Sequence, residues 1–119
     1  MFGFKSKPSV NPIIAQFLDD AQNGKAILID VRDIGELKAS GTVKGAKHIP
    51  LMKIAQVADS RHPDFDPDLV QTAEIAVFCA SGGRSGMAAQ ALHQLGFGNV
   101  TNLGGFADLA RAGAEVTRV

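Results

Sequence analysis

The chain has 119 residues, the size of one ordinary domain, and leaves no room for a second core. Hydrophobic residues make up 45% and charged residues 20%, values near the globular average that exclude disordered and collagen-like classes. Twelve Lys and Arg balance twelve Asp and Glu, so no long-range field draws a polyanion and nucleic acid is not an expected partner.

Residues 1–9, with Gly3 and Pro8, have little periodicity and read as a loose arm, which leaves 10–119 as the domain. Asn11 reads as a helix N-cap with Pro12 at the first helical position, where its missing N–H is harmless. Ile14, Phe17, Leu18 and Ala21 recur at helical spacing, and Asn23-Gly24 supplies the stop. Ala26 to Ile29, ending at Asp30, is a continuous apolar run of the kind found in a strand buried on both faces of a parallel sheet. A short helix over Ile34 to Ala39, a turn over Gly41 to Gly45 and a short strand near Lys47 to Ile49 follow, with Pro50 as terminator.

Residues 59–68 read as a loop. Ile75 to Phe78, ending at Cys79, repeats the buried-strand pattern. A helix carrying Ala88, Leu92 and Leu95 on one face follows and stops at Gly96. A strand near Val100 to Asn102 and a turn at Gly104-Gly105 complete the reading. Alternating strand and helix predict an α/β fold, a mainly parallel central sheet with helices on both faces. In such sheets chemistry sits beyond the carboxyl ends of the strands, which singles out Asp30 and Cys79.

Cys79 is the one cysteine, so the chain can form neither an internal disulfide nor a tetrahedral thiolate metal site. The longest apolar run, Ile75 to Ala80, is too short to cross a bilayer, and no apolar stretch of signal-peptide length follows Lys5 and Lys7. A cytoplasmic domain without membrane contact, metal or cofactor is expected.

The segment Cys79-Ala80-Ser81-Gly82-Gly83-Arg84-Ser85 joins a buried strand directly to a helix. Adjacent glycines let the backbone curl until successive N–H groups converge on one centre, an anion-binding nest. A helix beginning near Arg84 adds its free N–H groups and positive dipole end. An unperturbed thiol, with a pKa of about 8.5, is only a few per cent ionised at neutral pH, and lowering it by two units takes about 2.7 kcal/mol. A helix terminus gives up to about 2 kcal/mol, and a hydrogen bond to a charged acceptor about 1.5 to 3. The loop can therefore hold Cys79 as a thiolate. A lone cysteine ending an apolar strand is more often a small buried hydrophobe, but two glycines, an arginine and a serine at this junction serve no packing purpose.

The pattern Cys-x-x-Gly-x-Arg-Ser, present as Cys79, Gly82, Arg84 and Ser85, resembles the active-site loop of single-domain rhodanese-like sulfurtransferases. Asp30-Val31-Arg32, Glu36-Leu37, Gly41, Gly45-Ala46 and Ile49-Pro50 upstream, with Leu95-Gly96-Phe97, Asn99-Val100, Leu103 and Gly104-Gly105 downstream, follow the family's spacing from about residue 10 to 117. The chain departs from the family at Thr42-Val43, where a His is frequent, near Leu109, where a Trp is frequent, and at His48, where Asn is common. The first two read as packing changes and the third as an altered turn hydrogen bond.

The resemblance implies a ping-pong reaction. Cys79 takes a sulfane sulfur from thiosulfate or another small donor, becomes a persulfide, and passes the outer sulfur to cyanide or a thiol, including a protein thiol. It assigns catalysis to Cys79 and substrate binding to Ala80, Ser81, Gly82, Gly83, Arg84 and Ser85. Asp30 and Arg32 are expected to brace that loop through hydrogen bonds and ion pairs. Ala80 and Ser81 are neutral where some thiosulfate users carry cations.

Two other classes compete. Cysteine phosphatases and arsenate reductases use a similar cup with six steps from Cys to Arg, whereas here there are five, a closer fit to one sulfur atom than to a phosphate. A persulfide carrier, redox sensor or partner-binding module would use the same loop without turnover. His48, His62 and His93 lack metal-ligand spacing. Asp64, Asp66 and Asp68 lack the glycine and distal Glu of a calcium loop and read as a solvated connector. Gly96-Phe97-Gly98 leads into a strand and reads as a helix stop.

Overall fold

In a computed structural model whose described residues are 11–119, the Asn11 side chain accepts the amide hydrogens of Ile13 at 2.9 Å and Ile14 at 3.3 Å. That cap starts α1, Pro12–Gln22, with Pro12 inside the first turn. The arm expected over residues 1–9 lies outside the described residues.

The two apolar runs become the central strands, β1 (Ile27–Asp30) and β4 (Ile75–Cys79). They pair in parallel, with Ile27 opposite Ile75 and Asp30 opposite Phe78. Helix α2 (Ile34–Ser40) follows β1 and opens on a capping box between Asp33 and Glu36. Outside β1 lies β3 (Lys47–His48), and outside β4 lies β5 (Val100–Gly105), giving the parallel order β3-β1-β4-β5.

Side chains alternate across this sheet and build two cores. On one face Ile29, Ile75, Val77 and Cys79 meet Ile54 of α3 (Ile54–Val57), and Ala88 and Leu92 of α4 (Gly83–Gln94). On the other, Leu28, Ala76 and Phe78 meet Ile14 of α1 and Leu109 of α5 (Phe106–Arg111). The expected α/β sheet with helices on both faces is what the chain builds. Among the described residues no helix is long and apolar enough to cross a membrane.

Several elements differ from the sequence reading. Thr42–Val43, inside the expected glycine-bounded turn, forms β2 and pairs antiparallel with β6 (Val116–Thr117) near the end of the chain. Two residues have no readable period, and their partner lies far downstream. After Pro50 a 3₁₀ turn, Leu51–Lys53, runs into α3, where one short turn of each kind is too brief to leave a 3.6-residue stripe. Strand β5 runs on to Gly105, and α5 follows without a break, because pairing with β4 overrides the turn preference of Gly104-Gly105.

Gly41 ends α2 at φ +82° and ψ −176°, a conformation nearly confined to glycine. A Cβ there would sit 2.6 Å from the Thr117 carbonyl oxygen of β6. Gly41→Ala is therefore expected to destabilise the fold by about 1–3 kcal/mol, lowering the thermal midpoint by several degrees. An unchanged midpoint in thermal unfolding would show that the α2–β6 junction accepts a side chain.

Candidate active site

Strand β4 delivers Cys79 as its last residue, on the face covered by α4. The chain then turns through Gly82, held at φ +98°, and enters α4 at Gly83, one residue before the expected start. The left-handed geometry lets the Gly82 N–H point back at the sulfur, 3.0 Å from Sγ. One helical turn later the Ser85 hydroxyl comes within 3.3 Å of Sγ. Both contacts follow from the three- and six-residue offsets that the loop and first turn create.

Cys79 is 1% exposed, so its environment is set by protein atoms. Burial, the largest influence on the thiol, pushes its pKa up, yet the net effect is a lowering from 9.0 to about 7. The Ser85 hydroxyl and the amides of Ser85, Ser81 and Gly82 together outweigh the loss of water. At neutral pH such a sulfur is about half thiolate. The convergent amides expected from the glycine pair are those of Ser81, Gly82 and Ser85. A Cβ on Gly83 would face open space, and one on Gly105 of β5 would meet the Ala80 carbonyl oxygen at 2.5 Å. The backbone of β5 thus closes against the loop.

Arg84 does not reach for the sulfur. Its guanidinium grips Glu36 of α2 through Nη1–Oε1 at 2.5 Å and Nη2–Oε2 at 2.9 Å. That fork, set against partial burial and aided by the Asp33 amide, holds the Glu36 carboxyl at about 2, below its ordinary 4.5. The same carboxylate accepts the Asp33 N–H at 3.1 Å, so one side chain caps α2 and anchors the loop. Asn102 of β5 is the second anchor: its Nδ2 donates to the Gly82 carbonyl at 3.0 Å, and its Oδ1 lies 2.7 Å from the Ser85 hydroxyl.

The bracing expected of Asp30 and Arg32 is directed elsewhere. Asp30 is fully buried; its carboxylate accepts from Arg32 Nη2 at 2.8 Å and from the Thr42 hydroxyl at 2.8 Å. Arg32 donates onward to the Ser40 hydroxyl and the Gly41 carbonyl, each at 2.9 Å, and lies 4.3 Å over the Phe106 ring. These contacts tie the end of β1 to the α2–β2 junction, while Glu36 and Asn102 tie down the cysteine loop. The sequence reading holds Glu36 only through the family spacing, and neither its pairing with Arg84 nor the amide of Asn102 has a local signal.

Thr42 is more than packing, since its hydroxyl meets Asp30. His48 Nε2 lies 2.6 Å from the Arg32 carbonyl, and His93 Nδ1 lies 2.9 Å from that of Phe97. Lys47 Nζ binds Asp66 at 2.9 Å and Asp68 at 3.1 Å, so the connector expected to be merely solvated is pinned to β3.

The rate of Cys79 alkylation is expected to rise with pH and reach half its maximum near pH 7, since the loop lowers the thiol pKa to about 7. Below that midpoint it falls tenfold per pH unit, because only the thiolate reacts. Ser85→Ala should move the midpoint up by about one unit, the loss of one hydrogen bond to a charged acceptor. A wild-type midpoint in the range of a free thiol would contradict this account of the loop.

Comparison with known proteins places this geometry. A family model described as a rhodanese-like domain matches residues 14–112. The thiosulfate sulfurtransferase PspE of Escherichia coli strain K12 is 33% identical over 82 residues, covering 69% of this chain and 72% of that protein. Among solved structures, a rhodanese with anions from E. coli superposes with a TM-score of 0.62 at 26% identity, over 79% of this chain and 99% of the other. A Rhodopseudomonas palustris protein described as a possible tyrosine phosphatase gives 0.72 at 21% identity, over 97% and 100% of the two chains; that likeness shows the fold alone. The matched residues hold all four strands of the parallel sheet and the loop from Cys79 to Ser85, and the chain belongs to the rhodanese-like family.

Proposed function

We propose that the chain is a sulfurtransferase that carries a sulfane sulfur as a persulfide on Cys79. The observation that supports this most directly is the sulfur itself, 3.0 Å from the Gly82 amide in a loop that lowers its pKa to about 7 and leaves it about half thiolate at neutral pH. In the first half-reaction the Cys79 thiolate attacks the outer sulfur of a donor such as thiosulfate. A new S–S bond forms, the donor's S–S bond breaks, and sulfite leaves with the electron pair. In the second, cyanide or a thiolate attacks the outer sulfur and Cys79 departs as thiolate. No general base is required, because the nucleophile is already deprotonated. The negative outer sulfur of the persulfide would lie among the N–H groups of the loop, from Ala80 through Ser85, as a developing charge does in an oxyanion hole.

In this reading Ala80, Ser81, Gly82 and Gly83 shape the donor site and Arg84 holds its wall. With Arg84 committed to Glu36 and the other loop residues uncharged or neutral, the mouth gives little reward to a second negative charge. A monoanionic organic thiosulfonate is therefore the better small donor than dianionic thiosulfate. The single thiol suits a reducing, cytoplasmic setting. The near-complete burial of Cys79 favours one second reading, a persulfide-carrying module that opens onto a protein partner and turns over little alone.

Intact-mass measurement after incubation with thiosulfate, an organic thiosulfonate or polysulfide tests the proposal. The wild type should gain one sulfur atom and Cys79→Ser none, with the thiosulfonate loading the protein faster. A small aryl phosphate should not be hydrolysed, given the five-step loop. No added sulfur from any donor, with aryl phosphate turnover instead, would replace the sulfurtransferase by phosphatase chemistry. No added sulfur and no turnover would favour the partner-dependent module.

A further inference from the structure

Ser85 has one hydroxyl proton and two acceptors within reach, Cys79 Sγ at 3.3 Å and Asn102 Oδ1 at 2.7 Å. The orientation of the Asn102 amide is fixed by two other contacts. Its Oδ1 accepts the Gly104 N–H at 2.9 Å, and its Nδ2 donates to the Gly82 carbonyl at 3.0 Å. Turned over, the amide would set donor against donor and acceptor against acceptor. The short contact between Ser85 and Asn102 is therefore a hydroxyl donating to Oδ1. With that proton committed, the hydrogen between Ser85 Oγ and Sγ has to come from the thiol, which donates to Oγ.

The result is a chain of donors running from the Cys79 S–H to Ser85 and on to Asn102. When the sulfur ionises, the chain reverses at one point: the Ser85 hydroxyl rotates to donate to the thiolate, and Oδ1 keeps the Gly104 N–H. One proton serves two states of the sulfur. We propose that Asn102 is a positioning residue for Cys79, one that stabilises the protonated sulfur by taking the Ser85 hydroxyl proton and releases that proton when the sulfur is charged. In a Cys79 persulfide the inner sulfur is again neutral, so the proton returns to Asn102 while the charge sits on the outer sulfur. The amide on the neighbouring strand thereby tunes how readily the sulfur ionises at each stage.

The charged groups around the loop are not links in this hydrogen-bond chain, although Arg84 and the ionised Cys79 attract each other through space. Arg84 of α4 is paired with Glu36 of α2, and Asp33 acts on the same guanidinium. Asp108 of α5 has its carboxylate beside Gly104 and Gly105 and is paired with Arg111. Substituting Asn102 by alanine leaves all of them in place. The inference uses the reading of Cys79 as the reacting sulfur but not the transfer of sulfur, because thiol ionisation is read whether or not the chain turns over.

The test is a pH titration of Cys79, followed by thiolate absorbance and by the alkylation rate, in a double-mutant cycle of Ser85→Ala and Asn102→Ala. In the protein with Ser85, Asn102→Ala should lower the midpoint by about one unit, tenfold more thiolate at a pH well below it. In the Ser85→Ala background the same change should move nothing. An equal shift in both backgrounds, no shift, or a rise in the first would overturn the proposal, since Asn102 would then act through loop order or not at all. Asn102→Asp supplies a second readout should the alanine variant fail to fold. It keeps an acceptor at Oδ1 and strengthens it, so the midpoint should rise by more with Ser85 present than in Ser85→Ala. Equal rises would reduce the effect to added charge and also overturn the proposal.

Discussion

The site depends on a contest over one sulfur atom between loss of water and gain of hydrogen-bond donors. Cys79 ends the most buried strand of the sheet, where an isolated thiol would be driven toward its neutral form. The donors win because they are built into the backbone. Gly82 turns its own N–H inward, and the first turn of α4 brings Ser85 to the same centre. Fixed dipoles of this kind need no reordering when charge appears, which is why they count for more in a dry pocket than mobile water would.

The rest of the fold serves that cup by holding its walls. Glu36 reaches it from α2, which follows β1, and Asn102 from within β5, so both strands flanking β4 contribute to one loop. The buried Asp30–Arg32 pair works one step further out. By gripping Ser40, Gly41 and Thr42 it fixes the exit of α2, the helix that presents Glu36. The cation over Phe106 carries the same restraint into the α1 and α5 face of the sheet.

What the sequence reveals and hides follows from the range of each interaction. Ile27 to Asp30 and Ile75 to Cys79 announce their strands because burial on both faces leaves an unbroken apolar run. Asn11-Pro12 marks a helix start through contacts two and three residues away. The cysteine loop is legible because its glycines, serine and helix start lie within seven positions. By contrast β2 exists only because β6 closes on it, and α5 only because β5 carries the chain through two glycines that would otherwise turn. Glu36 and Asn102 meet the loop across 48 and 20 positions. No periodicity reports such pairings, and an asparagine within a strand looks like any polar residue on an exposed face. Asp30 and Arg32 stand out in the sequence as polar residues at the end of an apolar strand, but adjacency at a sheet edge does not say which neighbour a side chain will turn to.

The pairing of β4 with β5 slips between Val77 and Phe78, so that Phe78 stands opposite Gly104 and Cys79 opposite Gly105. Without that offset Leu103 would stand opposite Phe78 and Gly104 opposite Cys79, leaving one glycine instead of two beside the end of β4. Since the β5 side of the cup's floor is bare main chain at Gly104 and Gly105, it offers almost no side chain through which selection could reshape it. Diversification of such a domain would then have to proceed from its periphery inward, through residues on α2, the 3₁₀ turn and the outer face of α4, while the floor is inherited unchanged.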